Sequence, residues 1–165
     1  MPTRYKYRCS LEENRKMVSP RLLSNLEVRS PDKSDVAELA KLMLDSYHGT
    51  IDFGGETIRE ATKEVKSYFE RTDSIQMLSC SFVALSENRI ISACLISKWE
   101  KRPAPLISYI MTRSSFKGKG LGKALVHKSL QCIKGAGHQG VVAVVTDGNT
   151  PSERLMASLG FRRVQ

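Results

Sequence analysis

Apolar residues recur along this chain with two periods, and the switches between them mark its elements. From Asp35, the positions Val36, Leu39, Ala40, Met43 and Tyr47 follow helical spacing behind "SPDKSD", which supplies a turn and capping side chains. "HGTIDFGG" breaks this helix, and a second is predicted from Glu56 to about Arg71, with Ile58, Ala61, Val65, Tyr68 and Phe69 on one face. Four short segments read as strands: "LEVRS" (26–30) before the helices, and "MLSCSFVAL" (77–85), "RIISACLIS" (89–97) and "LISYIMT" (106–112) after them. "SENR" joins the second and third of these as an antiparallel hairpin, and "KWEKRPAP" is a loop held by Pro103 and Pro105. A helix from about Leu121 to Gly135 should bury Leu121, Leu125, Cys132 and Ile133. "GVVAVVTD" (140–147) is a nearly unbroken β-branched run, as in a strand covered on both faces. In "NTPSE", Thr150 as cap, Pro151 at the first helical position and Glu153 closing a capping box predict a last helix that ends before Gly160. A final strand begins at Phe161. The order β-α-α-β-β-β-α-β-α-β predicts one mixed α/β sheet over residues 25–165, behind a basic arm over 1–24 in which "RYKYRC" can form a short strand.

Composition adds a soluble, single-domain character. The 165 residues are 41% hydrophobic and 26% charged, no apolar run reaches membrane-spanning length, and the first residues lack the apolar core of a signal peptide. A cytoplasmic protein is the expectation. Cys9, Cys80, Cys94 and Cys132 show no metal-like spacing and read as free, mostly buried thiols; His48, His127 and His138 are as scattered, so no metal is expected. The net charge is +9, and from Lys101 to Thr146 there is no acid beside Lys101, Arg102, Arg113, Lys117, Lys119, Lys123, Lys128 and Lys134. Such a stretch points to an anionic partner, either nucleic acid or a phosphorylated cofactor.

"FKGKGLGKAL" (116–125) narrows that choice. A strand, a glycine-rich turn and a helix start together make an anion site: amides at the helix start lack partners, and glycines let a phosphate approach the backbone. A Walker loop is excluded, because Gly122-Lys123 is followed by Ala124 and no glycine lies five residues before Gly122. A dinucleotide fingerprint fails too: Gly118 and Gly120 fit, but Lys123 stands at the third position.

"TRSSFKGKGLGKAL" instead resembles the pyrophosphate loop of the GCN5-related N-acetyltransferase (GNAT) family, [QR]-x-x-G-x-[GA]. Lys117 stands where Arg or Gln is usual, Gly120 and Gly122 fill the core positions, and Thr112, Ser114 and Phe116 replace Val, Pro and Tyr. "NTPSERLMASLGF" matches the family's N-x-x-A-x-x-L-Y-x-x-x-G-F at Asn149, Leu155, Gly160 and Phe161, with Ser152 in the alanine place. The resemblance covers about 26–164. It implies a mostly antiparallel mixed sheet with a splayed strand pair, helices on both faces, and acetyl-CoA in the opening. The site carried over comprises Ile110, Met111 and Thr112 beside pantetheine, Lys117, Gly118, Lys119, Gly120, Leu121, Gly122 and Lys123 around the pyrophosphate, and Asn149 and Ser152 near the pantetheine arm.

The implied reaction is direct acetyl transfer from acetyl-CoA to a primary amine of a small molecule or protein. The amine must lose a proton, and the carbonyl oxygen needs a donor, expected from a backbone N–H of the 106–112 strand. Where many members have a tyrosine as general acid, this chain has Met156, which has no proton to give. Tyr109, Glu100 and Asp147 are the catalytic candidates; Tyr47, His48 and Asp52 are those for the acceptor. The basic cleft weighs against polycationic acceptors. A non-catalytic acyl-CoA-binding protein stays open as an alternative. Nucleic-acid binding stays open too, but the chain lacks interleaved aromatics or a reading motif. The short end after Val164 predicts an exposed sheet edge, which the arm or a second copy in a homodimer would cover.

Overall fold

The computed structural model describes residues 1–12 and 24–165. The arm's Arg15, Lys16 and Arg21 lie outside them. Its elements are β1 (Arg4–Ser10), β2 (Glu27–Arg29), α1 (Val36–Tyr47), α2 (Ile58–Glu70), β3 (Ser74–Gln76), β4 (Phe82–Ser86), β5 (Arg89–Trp99), β6 (Leu106–Thr112), α3 (Leu121–Gly135), β7 (Gly140–Thr146), α4 (Thr150–Ser158) and β8 (Arg162–Val164). The sheet order is β2-β4-β5-β6-β7-β1-β8, with β3 also on β5, and every pair is antiparallel except β6 with β7.

Alternation along the strands divides the core in two. Val83, Ile90, Ala93, Leu95 and Met111 face α1 and α2, where they meet Leu39, Leu42, Val65 and Phe69. Ala84, Ile91, Cys94, Ile96, Val141, Ala143 and Val145 face α3 and α4, where they meet Leu125, Leu130, Ile133 and Met156. Helices thus cover both faces, as expected. The "SENR" hairpin turns through Glu87 and Asn88, both at positive φ (49° and 62°), the twist that a two-residue connection between antiparallel strands demands.

The structure bears out the short strand in "RYKYRC" and departs from the sequence reading in four places. Part of the arm is strand β1, paired with β7 from Arg4↔Thr146 to Ser10↔Gly140 and with β8 on its other side. Residues 77–85 are not one strand. The Ser81 hydroxyl accepts from Ile96 N (2.9 Å) and donates to Met77 O (2.8 Å), replacing ladder bonds, so a 3-10 turn over Leu78–Cys80 separates β3 from β4. Ile58, expected to be buried, is 50% exposed in the first turn of α2. Cys80 and Cys132 form a disulfide with Cα atoms 5.3 Å apart, which corrects their reading as free thiols; the pair ties α3 to the turn before β4, and Cys132 is only partly buried. The last helix is capped by Asn149, not Thr150: its side chain accepts from Ser152 N at 3.2 Å, while Glu153 reaches Gly148 N instead of closing a box.

Candidate active site

The site begins where the sheet opens. β6 and β7 pair only at Leu106↔Val142 and Ile107↔Ala143, and then diverge. From Ser108 onward one edge of β6 has no strand partner among the described residues. On its other edge β6 bulges: Leu95 pairs with Tyr109 but Ile96 with Ile107, so Ser108 is the extra residue and the local ladder is disrupted. Two cavities meet in this opening. Both are lined by Tyr47, Ile110, Asn149 and Ser152.

The first, about 690 Å³, contains the glycine loop. Gly118 and Gly120 sit at φ of +78° and +82°, which a side chain would strain. Gly120 is the N-cap of α3 and makes no side-chain cap bond. The first helical bond runs from Ala124 N to Gly120 O, so the amides of Leu121, Gly122 and Lys123 have no helical partners. A Cβ on Gly122 would stand 3.5 Å from Ile110 and Thr112, in the gap between helix start and strand. The C-terminal turn of α1 anchors the loop. Thr112 N donates to Ser46 Oγ (3.0 Å), Ser114 N to Asp45 Oδ2 (2.7 Å), and Lys117 Nζ to Ser46 O. Ser114 stands where the family motif has proline, and its N–H is the donor that proline lacks.

Ile110, Thr112, Lys117, Gly118, Gly120, Leu121, Gly122, Lys123, Asn149 and Ser152 all line this cavity. Met111 does not: strand alternation turns its side chain into the α1/α2 core, where it is fully buried. Lys119 does not either, its ammonium lying 5.1 Å from the centre of the Phe116 ring. Arg154 and Leu155 on α4, and Thr50 and Ile51 after α1, also line it. Arg154 is within "NTPSERLMASLGF", but no motif position marked it.

The second cavity, about 540 Å³, lies between β6, β7 and the first two helices. Tyr47, Asp52, Tyr109 and Met156 line it, and so do Glu56, Glu60 and Glu64, which the sequence reading passed over. His48, Glu100 and Asp147 line neither cavity. Glu100 and Asp147 are exposed at strand ends, and His48 packs its ring 5.2 Å from Phe53. Asp52 closes the opening: its two oxygens accept from Thr146 Oγ1 (2.6 Å) and Asn149 Nδ2 (2.7 Å), which carries the 48–57 loop across to the end of β7. Tyr109 OH donates to Glu64. Burial first, then the bond to Glu64 and its charge, push the Tyr109 phenol far up, so at neutral pH it keeps the proton that it donates to Glu64. Burial, with the charges of Asp52 and Glu64, does the same to Tyr47, whose phenol oxygen makes no hydrogen bond among the described residues.

Several cations of 101–146 have different surroundings. Arg102 joins Arg71 over the Trp99 ring, and Lys128 lies over Phe82. Arg113 binds Ile90 O and Glu38. Lys117 and Lys123 line the first cavity.

The model of the acetyltransferase (GNAT) family matches residues 38–161. The chain belongs to this family. Solved structures share the GNAT fold at low identity. A GCN5-related N-acetyltransferase from Sphaerobacter thermophilus superimposes with a TM-score of 0.71 at 16% identity, over 99% of this chain and 50% of its own; the present chain thus spans about half its length. A ribosomal-protein alanine N-acetyltransferase from Escherichia coli gives 0.66 at 14% identity, over 85% of this chain and 79% of its own. An aminoglycoside N-acetyltransferase in complex with CoA gives 0.64 at 16% identity, over 86% and 90%. No curated protein matches the chain significantly. Among the described residues no helix is long and apolar enough to cross a membrane.

Proposed function

We propose that this GNAT protein is an acetyl-CoA-dependent N-acetyltransferase acting on a primary amine by direct attack in a ternary complex. The carrying observation is the meeting of the two cavities at Tyr47, Ile110, Asn149 and Ser152, one with the glycine loop and lysines, the other with carboxylates. The first suits a pyrophosphate-bearing cofactor in charge, in open amides and in volume. Lys117, Gly118, Gly120, Leu121, Gly122 and Lys123 would hold the pyrophosphate, and Ile110, Thr112, Asn149 and Ser152 the pantetheine. When bound, acetyl-CoA supplies an activated thioester.

The rest falls to this chain's own groups. Glu64, in the second cavity, takes the proton of the attacking amine, and Tyr109 orients it. A backbone N–H at the Ser108 bulge stabilises the carbonyl oxygen. Met156 gives no proton, but Tyr47 lines both cavities with a protonated phenol that has no partner among the described residues and can donate a hydrogen bond to the leaving thiolate while keeping its proton. A thiol pKa of about 8.5 lets the thiolate leave at modest cost in any case. The reading is tested by free-thiol release from acetyl-CoA over a panel of amines, amino acids, antibiotics and peptides. Turnover of a primary amine is the expected result. Binding of acetyl-CoA without turnover of any amine would support the non-catalytic alternative.

A further inference from the structure

Charge is sorted between the two cavities. Among the described residues, the first has Lys117, Lys123 and Arg154 on its wall and no carboxylate. The second has, among the described residues, Asp52, Glu56, Glu60 and Glu64 against the one cation Arg4. Its wall also carries three aromatic rings, Tyr47, Phe53 and Tyr109. Carboxylates answer an ammonium by charge and hydrogen bonding, and ring faces attract the same ion through their quadrupoles. The two kinds of wall point independently to one ligand chemistry.

The acids are also ordered along the cavity. Glu60 and Glu64 are one turn apart on α2, about 6 Å along the axis. Glu56 lies just before the helix and lines the same cavity. The carboxylates hold different partners. Glu64 accepts from Tyr109, Glu60 accepts through Oε2 from Thr57, and Glu56 accepts from Gly54 N. Asp52 has both oxygens engaged by Thr146 and Asn149. Each of these donors is neutral, so none cancels the negative charge, and Glu60 keeps one oxygen without a described partner.

We propose that the acceptor is a small flexible amine with at least two ammonium groups, a linear polyamine in chemical class. This rests on the acetyltransferase reading of the same site. One amine reaches the junction beside Glu64 and gives up its proton there. The second stays charged against Glu60 and Glu56, between the acids and the rings. The weight that the sequence placed against polycationic acceptors is thereby reversed: the basic stretch lines the cofactor side, and the acceptor side is acidic.

The test compares spermidine with butylamine in the thiol-release assay at low salt, for the native chain and for the double variant Glu56→Gln, Glu60→Gln. Glutamine at 60 can still close the capping box with Thr57, so α2 should stay folded, which circular dichroism checks. The native chain should favour spermidine by about tenfold or more in kcat/KM, mainly through KM, and the preference should fall towards unity in the double variant or at high salt. A lysine-rich peptide and an aminoglycoside complete the panel. Equal use of butylamine and spermidine, or a peptide or aminoglycoside used well where spermidine is not, would overturn the proposal. Calorimetric titration of spermidine without acetyl-CoA separates the two readings. Binding that the double variant loses supports the acidic pocket even if no amine turns over, and absence of binding and of turnover together overturns it. Failure of acetyl-CoA itself to bind would instead count against the enzyme reading alone.

Discussion

Single residues set both the chemistry and a large share of the local order. Glu64 is the base in this account, so Glu64→Gln should lower kcat by about 10²–10⁴-fold while acetyl-CoA binding is kept, as read by single-turnover kinetics and calorimetry. A kcat within about twofold of native would remove Glu64 from the mechanism. Asp35 carries a different prediction. It is buried, receives both Arg29 nitrogens at 2.8 Å, and its pKa is lowered first by that pair, against the cost of burial. A depressed carboxylate stabilises the fold above its unfolded value, near 3.9, and the contribution fades as pH falls through the folded value. Arg29→Met should therefore cost about 2 kcal/mol at neutral pH, less than for a fully buried pair because Arg29 is a third exposed. The gap between variant and native should narrow below pH about 4, as denaturant melts across pH would show.

At the scale of elements, β6, α3 and the glycine loop were legible because local chemistry determines them. The loop needs glycine at positive φ, and the helix repeats its apolar stripe from Leu121. β1 was half legible. "RYKYRC" alternates, but its pairing with β7 spans most of the chain, and nothing local announces so distant a partner. The acceptor wall was illegible for a related reason. Glu56, Glu60 and Glu64 read as the solvated side of an amphipathic helix, and only the approach of α2 to the parted strands makes them a lining. The Asn149 cap was missed because Thr150-Pro151 fits a standard start, whereas Asp52 holds Asn149 in place from almost a hundred residues away. If β1 is integral to the sheet, deleting residues 1–11 should expose the β7 edge and leave β8 unpaired. The truncated chain should melt several degrees lower or aggregate, as scanning calorimetry and light scattering would show. An unchanged melt would mean that β1 adds nothing.

For the molecule as a whole, two expectations change. β1 and the three-residue β8 now occupy the edge that motivated a homodimer, so that motive is gone. The cleft is not uniformly basic, as the 101–146 stretch had suggested: among the described residues its charge is sorted into a cationic and an anionic cavity. The acetyltransferase reading depends on the cationic side taking acetyl-CoA. The most direct measurement is the thermal melt of the native chain and of Gly120→Glu with and without acetyl-CoA. At about a hundred times its Kd, acetyl-CoA adds about 2.7 kcal/mol, which for a chain of this size raises Tm by roughly 5–10 °C. The account predicts that rise for the native chain and none for Gly120→Glu, whose side chain would need the left-handed backbone and would set a carboxylate beside the open amides. No shift of the native chain at millimolar acetyl-CoA, or an equal shift in the variant, would contradict it.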